Sequence, residues 1–241
     1  MKAKLRGPRA QLTIALSVLV VLACAAAAIA DQKNHPGAAV LAQDHGKLTI
    51  KLDGKTVGHE EFQIAPSDGG WLAKGNAEIN PSGAAASKVS GSLTLQPDGA
   101  PIRYTWTSHT DKTNSANILF ENGVAKMTLQ MQGAHPFDQT FTFGSPIIAI
   151  LDNNLYYQYG VLARLYDWSK RGPQSFPVLI PQELMPGTIT AEATGSASMD
   201  GKSYEGFRVT TNDLEVDLYL DSNHRLMRLE VPTAKVSVTR D

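Results

Sequence analysis

"DNNLYYQYGVLARLYDWSKRGP", residues 152–173, is the one stretch of this chain with a helical period; the segments on either side alternate with period two. Asp152 and Asn153 are N-cap residue types, whose side-chain oxygens accept from amides that a first helical turn leaves free. Lys170 and Arg171 suit the negative end of a helix dipole. Gly172 permits a left-handed stop and Pro173 forbids resumption. At about 100° per residue, Leu155, Tyr159, Leu162 and Tyr166 make one stripe, widened by Val161 and Leu165, with Gly160, Arg164 and Asp167 opposite. These signals predict a helix at about 152–169, roughly 25 Å long at 1.5 Å per residue.

Outward from the helix, the alternation is that of strands with one dry face and one wet face. In "KLTIKL", Leu48, Ile50 and Leu52 oppose Lys47, Thr49 and Lys51. In "PIRYTWTSHT", Ile102, Tyr104 and Trp106 oppose Arg103, Thr105 and Thr107. "VAKMTLQM" repeats the pattern with Met127, Leu129 and Met131. Turn chemistry separates the runs: Asp53-Gly54, "PDG" at 97–99, Glu121-Asn122-Gly123 and Asp221-Ser222-Asn223. About a dozen strands joined by short loops describe an antiparallel meander. A sheet of that size must curl or split, and a half-barrel has an apolar concave face that one broad-faced helix would stop. The expected fold is therefore mainly β: a curved antiparallel sheet, half-barrel or β-roll, with one central amphipathic helix packed in its concave face as a plug.

The first thirty residues are set apart from this domain. Lys2, Lys4, Arg6 and Arg9 precede the uncharged apolar run Leu12–Ala23, and Ala28-Ile29-Ala30 supplies a small-x-small cleavage pattern before Asp31. This is the layout of a signal peptide at 1–30. The apolar run approaches the length of an uncleaved anchor. Cys24 in "VLAC" gives a second, less favoured alternative, lipidation, in an imperfect lipobox. Residues 31–45 read as a flexible leader and 46–241 as a single domain, exported to the periplasm or beyond, with no transmembrane helix in the mature chain. Without residues 1–30, 18 of the 22 basic residues remain against 23 acidic ones, a formal net charge of −5. That balance argues against nucleic acid, which demands clustered cations.

Chemistry-bearing motifs are sparse. His59-Glu60-Glu61 is the densest ionisable cluster, but on a strand Glu60 faces away from His59 and Glu61, so the two carboxylates do not converge. Glu60 shares its face with Phe62 and Ile64 and points inward if that face is the dry one. The six histidines have no metal-ligand spacing and the 46–241 domain has no cysteine, so no metal and no cofactor are expected. No G-x-S-x-G elbow, P-loop or dinucleotide fingerprint occurs. "FPVLIPQELMPG", 176–187, is a proline-punctuated stretch suited to a rim or connection.

"DGKTVGHEEFQI" (53–64), "LDNNLYYQYGVLARLYDW" (151–168) and "VDLYLDSNHRLMRLEVPTAKVSVTR" (216–240) resemble a group of uncharacterised exported bacterial β-rich proteins. Over residues 46–241 the order of elements is distantly similar to the lipoprotein-carrier (Lol-type) half-barrels. The resemblance implies a helical lid over an apolar groove and brings no catalytic residues. Three readings stay open. The leading one is a non-enzymatic envelope protein that holds a lipid, acyl chain or other apolar ligand between sheet and helix. Phe62, Trp106, Phe141, Phe143, Leu155, Tyr159, Leu162 and Tyr166 would line or border the space. The second is a module that binds another envelope protein through a sheet edge or the proline-rich stretch. The third is a secreted hydrolase using Glu60 or Glu61 with a histidine.

Overall fold

The computed structural model describes residues 40–81, 85–211 and 213–241. The expected signal peptide and the leader as far as residue 39 lie outside the described residues.

The alternating runs pair into one sheet of fifteen strands. Nine precede the helix, the first eight being β1 (Asp44–Leu52), β2 (Lys55–Ser67), β3 (Gly70–Ile79), β4 (Ser87–Leu95), β5 (Pro101–His109), β6 (Thr113–Glu121), β7 (Val124–Met131) and β8 (Phe137–Thr142). The short β9 (Ala149–Ile150) leads into the helix α1 (Tyr157–Leu165). Then follow β10 (Gln174–Ile180), β11 (Met185–Met199), β12 (Lys202–Thr210), β13 (Glu215–Leu220), β14 (Leu226–Val231) and β15 (Val236–Arg240). The spatial order runs from β8 down to β1, crosses to β15, and continues down to β9. Two meandering wings thus meet at a β1–β15 seam, where Thr49 faces Thr239 and Ile50 faces Val238. Every neighbouring pair is antiparallel except β9–β10.

The expected hairpin chemistry is in place. Asp53 and Gly54 have φ of 50° and 77°, and Asn122 and Gly123 have 50° and 79°, the paired positive angles whose twist matches that of the flanking strands. β8 and β9 are the ends of the sheet, so it is not closed. Instead Ile148, Ala149 and Ile150 share a small internal void with Leu93 and Leu95 of β4 and with Val161 and Leu162 of α1. The β9 end therefore faces β4 of the other wing across the core. Buried side chains from both wings and from the helix form one apolar core.

Three sequence expectations need correction. The domain begins earlier than residue 46: Leu41 and Asp44 are both buried. The helix is shorter than 152–169, spanning Tyr157–Leu165, with Tyr156 at its N-cap position and no cap from its own side chain. Asp152 and Asn153 are spent elsewhere, and the chain bends through Asn154 at φ 68° before the helix starts. At the far end Tyr166 is already extended. The left-handed stop expected at Gly172 does occur, at φ 74°, but it closes the following turn rather than the helix. Last, α1 is not two-sided: Gly160 and Arg164, assigned to the polar face, are buried.

Candidate functional site

The helix is anchored by the sheet. Glu60, on the concave face of β2, is 0 % exposed. Its Oε2 accepts from the Tyr156 amide at 2.7 Å and its Oε1 from the Tyr157 amide at 3.2 Å. A carboxylate from another strand thus does the capping that α1's own sequence lacks, where amides are free and the dipole is positive. Burial nevertheless dominates, lifting the carboxyl pKa from 4.5 to about 8 against the pull of the two amides.

Two strand glycines make room. Phe62, Gly75, Gly91 and Trp106 stand in one cross-strand row over β2–β5. A methyl group at Gly75 would come within 2.5 Å of the Tyr157 ring and 2.6 Å of Glu60 Oε1. One at Gly91 would meet the Tyr104 hydroxyl at 2.6 Å and Leu155 at 2.7 Å. The bare backbone forms a saddle in which the start of the helix sits, the close approach that strand glycines commonly mark.

Beside the saddle, the buried Tyr104 hydroxyl donates to Asp152 Oδ2 at 2.5 Å and accepts from Gln158 Nε2 at 3.0 Å. Asp152 Oδ1 accepts from the Gln182 amide at 3.1 Å, tying the two wings together through one carboxyl group. Burial lifts the Asp152 pKa from 3.8 to about 7, although both bonds favour the ionised form. At the other end of the helix, Arg164 donates to the Ala42 carbonyl and to Asp44 Oδ2 at 3.1 Å. Asp44 Oδ1 also accepts from Arg240 Nη2 at 2.7 Å. The helix, the first strand and the last strand are held by this one buried carboxylate between two guanidinium groups.

α1 does not fill the whole concavity. Beyond Tyr159, between the 151–153 segment and β10–β13, lies a cleft of about 440 Å³. Its floor is built from inward-facing positions of successive strands: Val178, Ile180, Ile189, Val209 and Val216. Asp152 closes its inner end, while the exposed Glu183, Asp213 and Met185 stand on the lip. The volume falls in the range of small-molecule pockets, and an apolar lining with a few placed polar groups is their usual make-up.

Of the eight residues expected to line a ligand space, Tyr159 borders this cleft. Its phenol is pushed up to about 12 by burial and stays neutral. Phe62, Trp106, Phe141, Leu155, Leu162 and Tyr166 are buried in the core, and Phe143 packs half-buried against it. Leu162 faces the small void under β9. Tyr166 is committed to structure, its hydroxyl donating to the Gly172 carbonyl at 2.7 Å and accepting from the Ala193 amide at 3.1 Å. The structure therefore spreads these residues through the interior instead of gathering them round one space. The cleft floor was missed because its residues lie on four strands whose mutual register carries no local sequence signal. Their inward parity was the one available clue.

Glu60 is sealed off with both oxygens occupied, and Glu61 is exposed on the opposite face. Among the described residues no cluster of three or more His, Cys, Asp or Glu is placed to hold a metal ion, and no helix is long and apolar enough to cross a membrane.

No family model matches the chain, and no curated protein matches it. Among solved structures, the chain is similar to a β-barrel-like protein of the domain of unknown function DUF1849 from Brucella abortus. That match has 8% identity and a TM-score of 0.56, covering 83% of this chain and 95% of the other. A DUF1089 family protein from Pseudomonas aeruginosa aligns with 9% identity and a TM-score of 0.45, covering 73% and 90%. The first likeness shows a shared fold.

Proposed function

We propose that this is an exported, non-enzymatic cell-envelope protein that binds an apolar ligand, such as a lipid or acyl chain, in the cleft beside α1. The observation that carries the reading is the cleft itself: about 440 Å³ of concave, apolar-floored space left open in a sheet whose interior is otherwise packed. Export rests on the basic n-region, apolar run and Ala28-Ile29-Ala30 pattern. The resemblance to lipoprotein-carrier half-barrels read in the sequence would fit both parts. Here α1 is a fixed plug rather than a lid, since Glu60, Asp152 and Asp44 hold it at three points, and the ligand sits alongside it.

Native mass spectrometry of the protein purified from its own host, followed by organic extraction, tests this. The expected result is a reproducible lipid-sized adduct, weakened by Tyr159→Ala and by Met185→Asp at the lip. A bare mass in every preparation, with no uptake of added lipid, refutes the reading.

A second reading draws on the β8 end of the sheet. Leu119, Met131 and Phe137 are exposed on β6–β8, where β8 has no further strand beside it among the described residues. An envelope protein that adds a strand there would cover both.

A further inference from the structure

We infer that the cleft selects an amphiphile with a cationic or hydrogen-bond-donating head group and turns away an anionic one of the same chain length. The inference rests on the apolar-ligand reading and adds the head group to it.

The charged groups of the cleft are of one sign, with Asn153, Thr188 and Thr211 as its neutral polar lining. Asp152 stands at the inner end and Glu183 and Asp213 on the lip, and no Lys, Arg or His lines the space among the described residues. None of the three carboxylates has a cation within ion-pair distance among the described residues. On the adjoining β13, by contrast, Glu215 and Asp217 both meet Arg208 of β12. Cations were thus placed beside carboxylates on the adjoining strand and left out of the cleft.

Asp152 adds an independent observation. It is only 6 % exposed, yet each oxygen accepts a single bond, from Tyr104 and from Gln182. A carboxylate has room for about four donors, so acceptor capacity on a buried group at the end of the cleft is left unfilled. Beside it, the neutral Tyr159 ring forms part of the wall, and aromatic faces attract cations. A carboxylate or phosphate head group entering here meets like charges and no cation. An ammonium or hydroxyl head group meets acceptors and a ring, while its chain lies on the valine and isoleucine floor.

Displacement of a neutral fluorescent dye from the purified protein at neutral pH, by dodecylamine, dodecanol and dodecanoate, tests the inference. The chains match and only the head group differs. The expected order is dodecylamine, then dodecanol, then dodecanoate, with at least about tenfold between first and last. In the Glu183→Gln/Asp213→Asn double variant, altered only at exposed positions, the ratio of dodecylamine to dodecanoate affinity shrinks. Dodecanoate binding as tightly as dodecylamine overturns the inference and leaves the apolar-ligand reading standing. An unchanged preference in the double variant overturns it as well, since the lip carboxylates then take no part in the selection. If none of the three displaces the dye, both the inference and the reading beneath it fail.

Discussion

Replacing Glu60 with glutamine sets burial against helix capping in one measurement. In the folded protein the Glu60 carboxyl has a pKa of about 8, raised from 4.5. A raised acid pKa means the folded state keeps its proton while the unfolded chain has already lost it. Stability contributed by this group is therefore full below pH 4.5 and declines as pH rises toward 8. At about 1.4 kcal/mol per unit, the decline from pH 5 to 8 comes to about 3–4 kcal/mol, of which roughly 1 kcal/mol falls between pH 7 and 8. In that last interval Glu60 dominates. Asp152 acts with the same sign but is largely spent by its own pKa of about 7. His224, lowered by partial burial, acts in the opposite sense and below its ordinary 6.5.

Glutamine keeps the shape and removes the titration. It also turns an amide donor toward the Tyr156 or Tyr157 N–H, at a cost of about 1–3 kcal/mol for the lost acceptor. Urea denaturation from pH 5 to 9 should find Glu60→Gln less stable than wild type at pH 5. The difference should close or reverse by pH 8 to 9, as wild type bears the cost of ionising a buried group. A wild-type stability that is level between pH 7 and 8, or a variant that declines in parallel with it, would refute the reasoning.

Two further substitutions probe the same framework. Gly75→Ala forces a methyl group against the Tyr157 ring and Glu60, and should cost about 1–3 kcal/mol as overpacking. Gly144→Ala, with open space around it, serves as the near-neutral control in the same thermal melt. Asp44→Asn leaves Arg164 and Arg240 facing each other without their shared anion. A loss of about 3–5 kcal/mol is expected on breaking such a buried group from one side, read by urea denaturation at neutral pH.

How far the sequence foretold this structure depends on how local each determinant is. Strand alternation and hairpin turns are properties of a few consecutive residues, and all the strands but Ala149–Ile150 were visible in them. Two residues are too few to show a period, and β9 exists because β10 lies parallel to it. The helix was placed correctly but given the wrong ends. Asp152 looks like an N-cap in one dimension, whereas in three it is bonded to Tyr104, 48 residues away, and Glu60 caps from another strand. Glu60's inward parity was legible; its partner was not. Gly75 and Gly91 carried a readable sign, glycine inside a strand, but the group approaching them was hidden. The cleft was least legible of all, being what remains when a nine-residue helix is set in a concavity framed by fifteen strands.

The β1–β15 seam bears on the order in which the molecule can come together. Strand pairs within each wing are near neighbours along the chain, whereas the seam joins Thr49 to Thr239. Each wing can zip hairpin by hairpin, but the two remain separate sheets until the last strand is available to dock. Non-local closure of this kind is the slow step in β topologies. Joining the last strand to the first and opening the loop between β8 and β9 would rewrite the same fold as an uninterrupted meander from one sheet edge to the other. The native chain order, by contrast, leaves the two wings unjoined until β15 arrives.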